Sequence, residues 1–283
     1  MIKNPRIIFF GNSKYSVIDA EALRKHFGLS AIVTLPDSIN RQTKKPVQGP
    51  VNAFARAHHI PLVEAEKLTP DIIEKIKSFS PDFLVVADYG LILPKSLLSV
   101  PLYAPLNIHH SLLPKYRGPA PAPAAILNGD KVSGVSVILM TPGVDEGDIL
   151  AQIPYELKPD ETTDSLLTEL NKLGAQAVVE VIEKYLEGTA QPKKQNEKQA
   201  TVTKYMSRND GLIDLSGNPE INWRKIRAFG TWPGPFFVVK HRGKETRVKI
   251  KKAAFQNGVL TIQRVVPENK KEMSYEDFLR GLS

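Results

Sequence analysis

The sequence predicts an α/β domain with a mostly parallel sheet, followed by a small β-barrel or sandwich domain. Apolar runs alternate with helical patterns in the first part of the chain, as they do when helices connect parallel strands and cover both faces of a sheet. A polar stretch without periodicity comes next, and short strands separated by turns follow it. We therefore expect a first domain over residues 1–189, a linker over 190–204 and a second domain over 205–283.

Five short apolar runs predict the strands of the first domain. The first run, Arg6–Gly11, ends in a glycine, and Asn12 and Ser13 can cap the helix that follows it. The other four runs are Ser30–Leu35, Asp82–Ala87, Ala104–His109 and Val132–Met140. Further helices are predicted over Val51–His58, Asp71–Phe79 and Asp164–Leu186.

Three short segments with strand character follow the polar stretch, and turns containing glycine separate them. They are Phe236–Lys240, Thr246–Ala254 and Val259–Val266. The second segment begins "TRVKIK", in which Val and Ile alternate with Arg and Lys. Because side chains in a strand alternate between faces, one face of this strand can pack while the other presents cations.

The composition excludes several classes of protein. The chain has 283 residues and no cysteine, and it is 42% hydrophobic and 24% charged, as soluble globular proteins are. Without cysteine it forms no disulfide, no thiolate zinc site and no cysteine nucleophile. No apolar run approaches the roughly 20 residues of a membrane span, and the N-terminus lacks the features of a signal peptide. We expect a cytoplasmic protein that does not enter membranes.

Positive charge is concentrated towards the end of the chain. From residue 191 onward there are 19 Lys and Arg against 9 Asp and Glu, a net charge of +10. The first 190 residues hold 19 against 21, a net charge of −2. This asymmetry indicates a polyanionic partner, nucleic acid being the first candidate, while a solubilising surface is the alternative.

The stretch "PLNIHHSLLPKYRGPAP" places polar side chains at the end of a predicted strand. In an extended backbone Asn107 and His109 share one face, and Leu106 and Ile108 point into the core. Ligands of open α/β sheets bind at the carboxyl ends of the strands. We expect the strand to end before His110, because the "SLLP" that follows does not continue a sheet. The prolines and glycine of "KYRGPAP" then predict a rigid loop, suited to be the wall of a ligand site.

A carboxylate is available in "TPGVDEGDIL", which follows the fifth predicted strand. Asp145 beside an imidazole would orient the ring and shift its proton affinity. An amide, an imidazole and a carboxylate together suit the attack of an amine on a carbonyl carbon. We expect Asn107 and His109 to donate towards the developing oxyanion, and Asp145 to accept or relay the amine proton. This chemistry requires neither a metal nor a covalent intermediate.

Other chemistries are less well represented. The first strand is followed by "GNSKYSV", which lacks the G-x-G-x-x-G pattern of dinucleotide sites, and no Walker A loop is present. No H-x-x-x-H metal pattern occurs, and Ser111 lacks the G-x-S-x-G environment of a hydrolase nucleophile.

With these residues in place, the chain resembles the 10-formyltetrahydrofolate-dependent formyltransferases. "LNIHHSLLPKYRGPAP" and "GVDEGDIL" resemble the catalytic motifs of that family, and "VVADYGLILP" resembles its folate-side loop. "IRAFGTWPGPFF" and "KKEMSYEDFLRG" resemble the C-terminal domain of the branch that acts on tRNA. The sequence departs from the family pattern at Asn12 and Ser13, where Thr-Pro is usual, and at Asp88 and His110, where small residues are common.

The resemblance implies a site and a fold. Asn107, His109 and Asp145 would be catalytic, and 10-formyltetrahydrofolate would be the co-substrate, with no metal. The fold implied is a Rossmann-like domain followed by an OB-like barrel. The residues implied for the folate site, in the "SLLP" turn through its backbone groups and in the loop after the third strand, are Ser111, Leu112, Leu113, Pro114, Tyr89, Gly90 and Leu91.

The resemblance also implies a macromolecular partner, methionyl initiator tRNA, for a monomeric enzyme. In the family the loop after the second strand enters the acceptor region of the tRNA. Here that loop is Pro36–Pro50, a long polar segment in which Arg41, Lys44 and Lys45 are the candidate contacts. A solvated mobile loop is the alternative for these three cations.

Two other functions stay open. A sugar-nucleotide N-formyltransferase would share the catalytic domain and the donor, and would not need the basic end of the chain. A catalytically silent RNA-binding protein would keep the basic strands and would have no use for Asn107, His109 and Asp145.

Overall fold

The computed structural model describes residues 4–40, 43–241 and 243–282. The internal contacts divide the chain into two units. The first unit runs to Pro119 and adds Ser133–Tyr155 and Leu167–Val202, and the second comprises Ala120–Val132, Glu156–Leu166 and the chain from Thr203. Most of the stretch predicted to be a linker, 190–204, therefore clusters with the first unit.

Nine strands lie in the described residues before residue 160. In chain order they are β1 (Ile7–Gly11), β2 (Ala31–Thr34), β3 (Ser38–Ile39), β4 (Pro46–Val47), β5 (Leu62–Glu64), β6 (Phe83–Ala87), β7 (Ala104–His109), β8 (Val132–Leu139) and β9 (Ile149–Glu156). Strands β3 and β4 pair as a separate antiparallel hairpin, so the segment expected to be a loop over Pro36–Pro50 contains regular structure.

The other seven strands form one sheet in the order β5-β2-β1-β6-β7-β8-β9. The first five strands in this order, which are β5, β2, β1, β6 and β7, run parallel to one another. Counted along the chain, these five parallel strands are arranged 3-2-1-4-5, the order of doubly wound Rossmann-like sheets. β8 runs antiparallel to β7. The prediction of an α/β fold with a mostly parallel sheet is confirmed.

Eight α-helices lie in the described residues. They are α1 (Ser16–His26), α2 (Pro50–Ala57), α3 (Pro70–Ser78), α4 (Lys95–Leu98), α5 (Pro121–Asn128), α6 (Thr163–Glu187), α7 (Pro219–Ala228) and α8 (Tyr275–Arg280), with two short 3-10 helices at Glu197–Gln199 and Arg208–Gly211. None of these helices combines the length and the apolar composition that crossing a membrane requires.

Every strand and helix predicted from the sequence is present within two residues of its predicted ends. The elements that the sequence did not reveal are mostly short. The strand β5 has three residues and the helix α4 has four, too few for a periodic pattern. Helix α5 starts at Pro121, the last residue of the stretch expected to be a rigid loop. A proline can begin a helix because its missing N–H is not needed in the first turn.

Burial on both faces of the sheet explains why its strands are apolar at nearly every position. Ile7 and Phe9 belong to one hydrophobic cluster, which includes residues of α1 and α6. Ile8 and Phe10 belong to a second cluster, which includes residues of α3. Because all four side chains are fully buried, β1 anchors the sheet between two layers of helices.

The second unit contains a four-stranded antiparallel sheet in the order β10-β11-β12-β13. Its strands are β10 (Phe236–His241), β11 (Lys244–Gln256), β12 (Val259–Pro267) and β13 (Met273–Ser274). In β11, Val248 and Ile250 are buried and Lys249 and Lys251 are exposed, as the alternation of "TRVKIK" predicted. Lys252 is also exposed, because the pairing with β12 shifts register on either side of it.

A buried carboxylate ties the N-terminal strand to its neighbour in the sheet. Asp82, which precedes β6, is 1% exposed. Its Oδ2 accepts hydrogen bonds from the Arg6 backbone N–H and Nε at 2.7 and 3.2 Å, and its Oδ1 accepts one from Nη2 at 3.0 Å. Burial alone would raise the pKa of Asp82, but the hydrogen bonds and charge of Arg6 outweigh it and lower that pKa.

We predict that Asp82→Asn lowers the free energy of unfolding by about 2–3 kcal/mol at pH 7, because charge-assisted bonds to a buried carboxylate are lost. A carboxylate whose pKa is lowered by folding stabilises the protein above its unfolded pKa of about 3.9, and this contribution is lost at lower pH. The difference between the two proteins should therefore shrink at pH 3. Urea unfolding at both pH values measures it, with the exposed Glu66→Gln as the control variant. An equal difference at both pH values would contradict the prediction.

Candidate active site

Strand β7 presents an amide and an imidazole on one face of the sheet. Asn107 and His109 alternate with Leu106 and Ile108, which lie in the hydrophobic core. The strand ends at His109, as predicted, and the His109 side chain is largely buried, with 5% of the residue exposed. The sequence pattern alone was sufficient to place these four side chains on their faces.

The loop that carries Asp145 approaches Asn107 and His109 from a direction that the sequence did not indicate. Because β8 is antiparallel to β7, Leu139 pairs with Leu106 and the loop after β8 begins beside the first half of β7. This loop therefore begins near the edge of the sheet where β7 starts, and not at the carboxyl edge where β7 ends. The chain turns back here through Asp145, whose φ is +54°, and through Gly147, where a Cβ would collide with the Leu139 carbonyl oxygen.

The structure brings the three predicted catalytic side chains together. The Asn107 amide donates a hydrogen bond from Nδ2 to Asp145 Oδ1 at 3.2 Å. Asp145 Oδ2 accepts a hydrogen bond from the Gly118 backbone N–H at 2.7 Å and lies 3.5 Å from His109 Nδ1. His109 Nε2 lies 2.9 Å from the Tyr116 carbonyl oxygen. The rigid "KYRG" segment thus contacts both the imidazole and the carboxylate.

Burial governs the protonation of His109. It lowers the pKa of the imidazole, while the nearby Asp145 charge and the Tyr116 carbonyl partly oppose this effect. The Tyr116 carbonyl oxygen can only accept, so it faces a protonated Nε2, while Nδ1 faces the Asp145 carboxylate. The part of His109 as a donor to an oxyanion stays a prediction.

The "SLLP" turn is held by bonds within the protein. Ser136 Oγ donates to the Ser111 carbonyl oxygen at 2.6 Å and accepts from the Leu113 N–H at 3.1 Å. Gln152 Nε2 donates to the Leu113 carbonyl oxygen at 2.9 Å, and the Thr201 N–H donates to that of Pro114 at 3.2 Å. These four backbone groups therefore bond within the protein. We had expected backbone groups of this turn to bind the ligand.

The second predicted folate segment has two parts. The Tyr89 side chain is 2% exposed and packs edge-on against Phe10 at 5.4 Å between ring centres. Burial raises its pKa to about 12. Tyr89 is thus a core side chain, whereas Gly90, with a φ of +87°, is exposed and Leu91 is partly exposed. The sequence pattern did not distinguish the buried Tyr89 from Gly90 and Leu91, which are at least partly exposed.

The four residues that depart from the family pattern form one network. Ser13 Oγ donates to Asp88 Oδ2 at 2.9 Å, and His110 Nδ1 lies 3.4 Å from Asp88 Oδ1. The Asn12 N–H donates to the Asp88 carbonyl oxygen at 3.2 Å. These residues follow β1, β6 and β7, which are neighbours in the sheet, so the network joins the carboxyl ends of three strands. Their joint departure from the family pattern was the available sequence signal.

Two of the predicted tRNA contacts, Lys44 and Lys45, lie on the β3–β4 hairpin. Lys44 and Lys45 are exposed, and their backbones bond to Asn40, with Lys44 in the left-handed region at a φ of +56°. Arg41 lies outside the described residues.

Comparison with known proteins is consistent across the chain. Residues 6–182 match the family model described as formyl transferase. The methionyl-tRNA formyltransferase of Dictyoglomus turgidum is 35% identical over 305 residues, which cover 98% of this chain and 96% of that protein.

Two solved structures share the fold. A methionyl-tRNA formyltransferase from Clostridium thermocellum has a TM-score of 0.64 at 19% identity and covers 93% of this chain and 98% of its own. An N-formyltransferase from Helicobacter canadensis, in complex with folinic acid and dTDP-3-aminofucose, has a TM-score of 0.66 at 20% identity. The match covers 91% of this chain and 89% of that protein.

We predict that His109 titrates below the ordinary histidine pKa of about 6.5, since burial disfavours the imidazolium. Asp145→Asn should lower this pKa further, because the carboxylate charge that favours the imidazolium is removed. Titration of the histidine ring resonances by NMR measures both values, and the signal of the exposed His58 is the internal control. A His109 pKa that rises or stays constant on substitution would be incompatible with the site described.

Proposed function

The chain belongs to the formyl transferase family, and we propose that it transfers the formyl group of 10-formyltetrahydrofolate to the α-amine of methionyl initiator tRNA. The observation that carries this proposal is the convergence of Asn107, His109 and Asp145 within 3.5 Å contacts. The similarity to a methionyl-tRNA formyltransferase over 98% of the chain supports the choice of acceptor, because it extends through the basic C-terminal part.

The reaction exchanges one carbon–nitrogen bond for another. The neutral α-amine attacks the formyl carbon, the bond from that carbon to N10 of the folate breaks, and the amine proton ends on N10. An α-amine has a pKa of about 7.7–8.0, so a modest base is sufficient to obtain the neutral form.

The geometry assigns a task to each residue of the trio. Asn107 uses one amide hydrogen on Asp145, and its second is available for the tetrahedral oxyanion. The proton released by the amine can be held between Asp145 Oδ2 and the lone pair of His109 Nδ1. His109 therefore acts as a proton carrier, and the Tyr116 carbonyl oxygen keeps the ring in the required orientation.

The donor site is proposed to lie between the loops that follow β6 and β7. Gly90 and Leu91 form one side of it, and Ser111–Pro114 forms a wall whose backbone is held in advance by Ser136 and Gln152. A wall that is already rigid loses little conformational entropy when it binds a flat pterin.

The tRNA is proposed to bind through Arg41, through the hairpin cations Lys44 and Lys45, and through the second unit. We propose that the sheet of this unit belongs to an OB-like barrel, with the exposed lysines of β11 directed at phosphates. The domain boundaries at 189 and 205, the monomeric state and the cytoplasmic location stay predictions.

Neither alternative function is favoured. The likeness to an N-formyltransferase bound to an amino-sugar nucleotide is at 20% identity and concerns the fold alone. A silent RNA-binding protein has no need for an amide, a buried imidazole and a carboxylate in mutual contact.

We predict formyl transfer to methionyl-tRNA by the wild-type protein and a loss of about 100-fold or more in kcat for Asp145→Asn, because the proton acceptor is removed. The exposed neighbour Glu146→Gln is the matched control and should stay within about threefold of wild type. The assay supplies 10-formyltetrahydrofolate with either methionyl-tRNA or an amino-sugar nucleotide. Formyl on the sugar alone would establish the second function, and formyl on neither acceptor would leave only a binding role.

We also predict a salt effect on the acceptor. The slope of log Kd for tRNA against the logarithm of the salt concentration should fall by about two when Lys249 and Lys251 are both replaced by Gln. Each lysine that neutralises a phosphate contributes about one to this slope. Binding of the folate donor should not change. The control is Lys67→Gln with Lys75→Gln, two exposed lysines of the first unit with the same change in charge. An identical salt slope in the wild type and in the Lys249/Lys251 double variant would exclude a role for β11 in tRNA binding.

A further inference from the structure

The segment that follows α6 lies against the catalytic loop. At one end Lys193 and Ile149 exchange two backbone hydrogen bonds, both of 2.8 Å. At the other end the Thr201 carbonyl oxygen accepts from the Arg117 N–H at 2.8 Å, and Thr201 Oγ1 accepts from the Tyr116 N–H at 2.8 Å. The segment is thus anchored to the strand after the Asp145 loop and to the residues that contact His109.

Gln195 lies between these anchors and bonds to the Asp145 loop directly. Its Nε2 donates to the carbonyl oxygens of Asp145 and Gly147, both at 2.7 Å. Its Oε1 accepts from Arg117 Nε at 3.1 Å and Nη2 at 2.9 Å. The guanidinium can only donate, so it fixes the amide with its oxygen towards Arg117 and its nitrogen towards the two carbonyl groups.

Arg117 is itself held in place. It is 5% exposed, and its Nη1 and Nη2 donate to the two carboxylate oxygens of Glu197 at 2.9 and 2.7 Å. This bidentate pair fixes the plane of the guanidinium. Glu197, Arg117 and Gln195 therefore form a chain of bonds that ends on the backbone of the catalytic loop.

The loop needs such support, because Asp145 has a left-handed backbone at a φ of +54°. This conformation is strained for a residue with a Cβ, and surrounding contacts must maintain it. The carboxylate is held by Asn107 and Gly118 and the carbonyl oxygen by Gln195, so the residue is fixed at both ends.

We propose that Gln195, oriented by Arg117 and Glu197, is a positioning residue that sets the place of the Asp145 carboxylate relative to His109. The inference rests on the proposed function for its effect on turnover, and on geometry alone for its effect on the site. It makes residues 193–201, expected to be part of a linker, a component of the active site.

The test uses the full-length chain with Gln195→Met, which keeps the length of the side chain and removes its donors and acceptor without adding charge. Gln199→Met is the matched control, an exposed glutamine of the same segment. We expect kcat of Gln195→Met to fall about 30- to 100-fold, with KM for both substrates within about threefold of wild type, because a shift of about 1 Å in a reacting group has an effect of this order. Gln199→Met should match the wild type.

A double variant tests the route of the effect. If Gln195 acts through Asp145, adding Gln195→Met to Asp145→Asn should change the residual kcat by less than about twofold. A purely structural role would lower kcat by the same factor in both backgrounds, and that result would overturn the proposal.

A measurement on the resting protein separates this inference from the proposed function. Displacing Asp145 weakens its effect on His109, so the NMR titration of His109 should move in Gln195→Met in the direction found for Asp145→Asn. If the wild type transfers no formyl group and His109 still responds, the proposed function fails and the positioning role stands. A formyl-transferring protein in which neither kcat nor the His109 titration changes would overturn the positioning role.

Discussion

The Asp145 carboxylate is the group on which the arrangement of the site depends. It accepts hydrogen bonds from Asn107 on β7 and from the Gly118 N–H, and it lies 3.5 Å from His109 Nδ1. A carboxylate in a largely buried place is costly unless donors surround it. Its two donors come from the strand β7 and from the rigid loop, so the carboxylate links both segments to the catalytic loop.

The sheet supplies the frame for this arrangement. Its parallel strands are packed on both faces, so the positions of Asn107 and His109 are determined by β7 and not by flexible loops. The antiparallel β8 then directs the catalytic loop back along β7 instead of away from it. Here the acidic residue lies beside β7 and not beyond its end. The antiparallel direction of β8, in an otherwise parallel set of strands, makes this placement possible.

The site was partly predictable. Asn107 and His109 share a face because side chains alternate along a strand, and the sequence contained that information. The surroundings of the residues named by analogy were not predictable. Tyr89 packs in the core, the backbone of Ser111 and Leu113 bonds to Ser136, and His109 Nε2 lies against the Tyr116 carbonyl oxygen. Gln195 stood in a polar stretch without periodicity, where nothing distinguished it from its neighbours.

The sequence by itself determined the fold class, the ends of the longer strands and helices, and the residue types at the end of β7. These are local properties, since periodicity and turn residues act over a few positions of the chain. Only the tertiary structure decided the direction of β8, the contacts of the His109 ring and the partners of Asp145. Those bonds join residues 27, 38 and 50 positions apart, and no local pattern specifies which of many polar groups will meet across such separations.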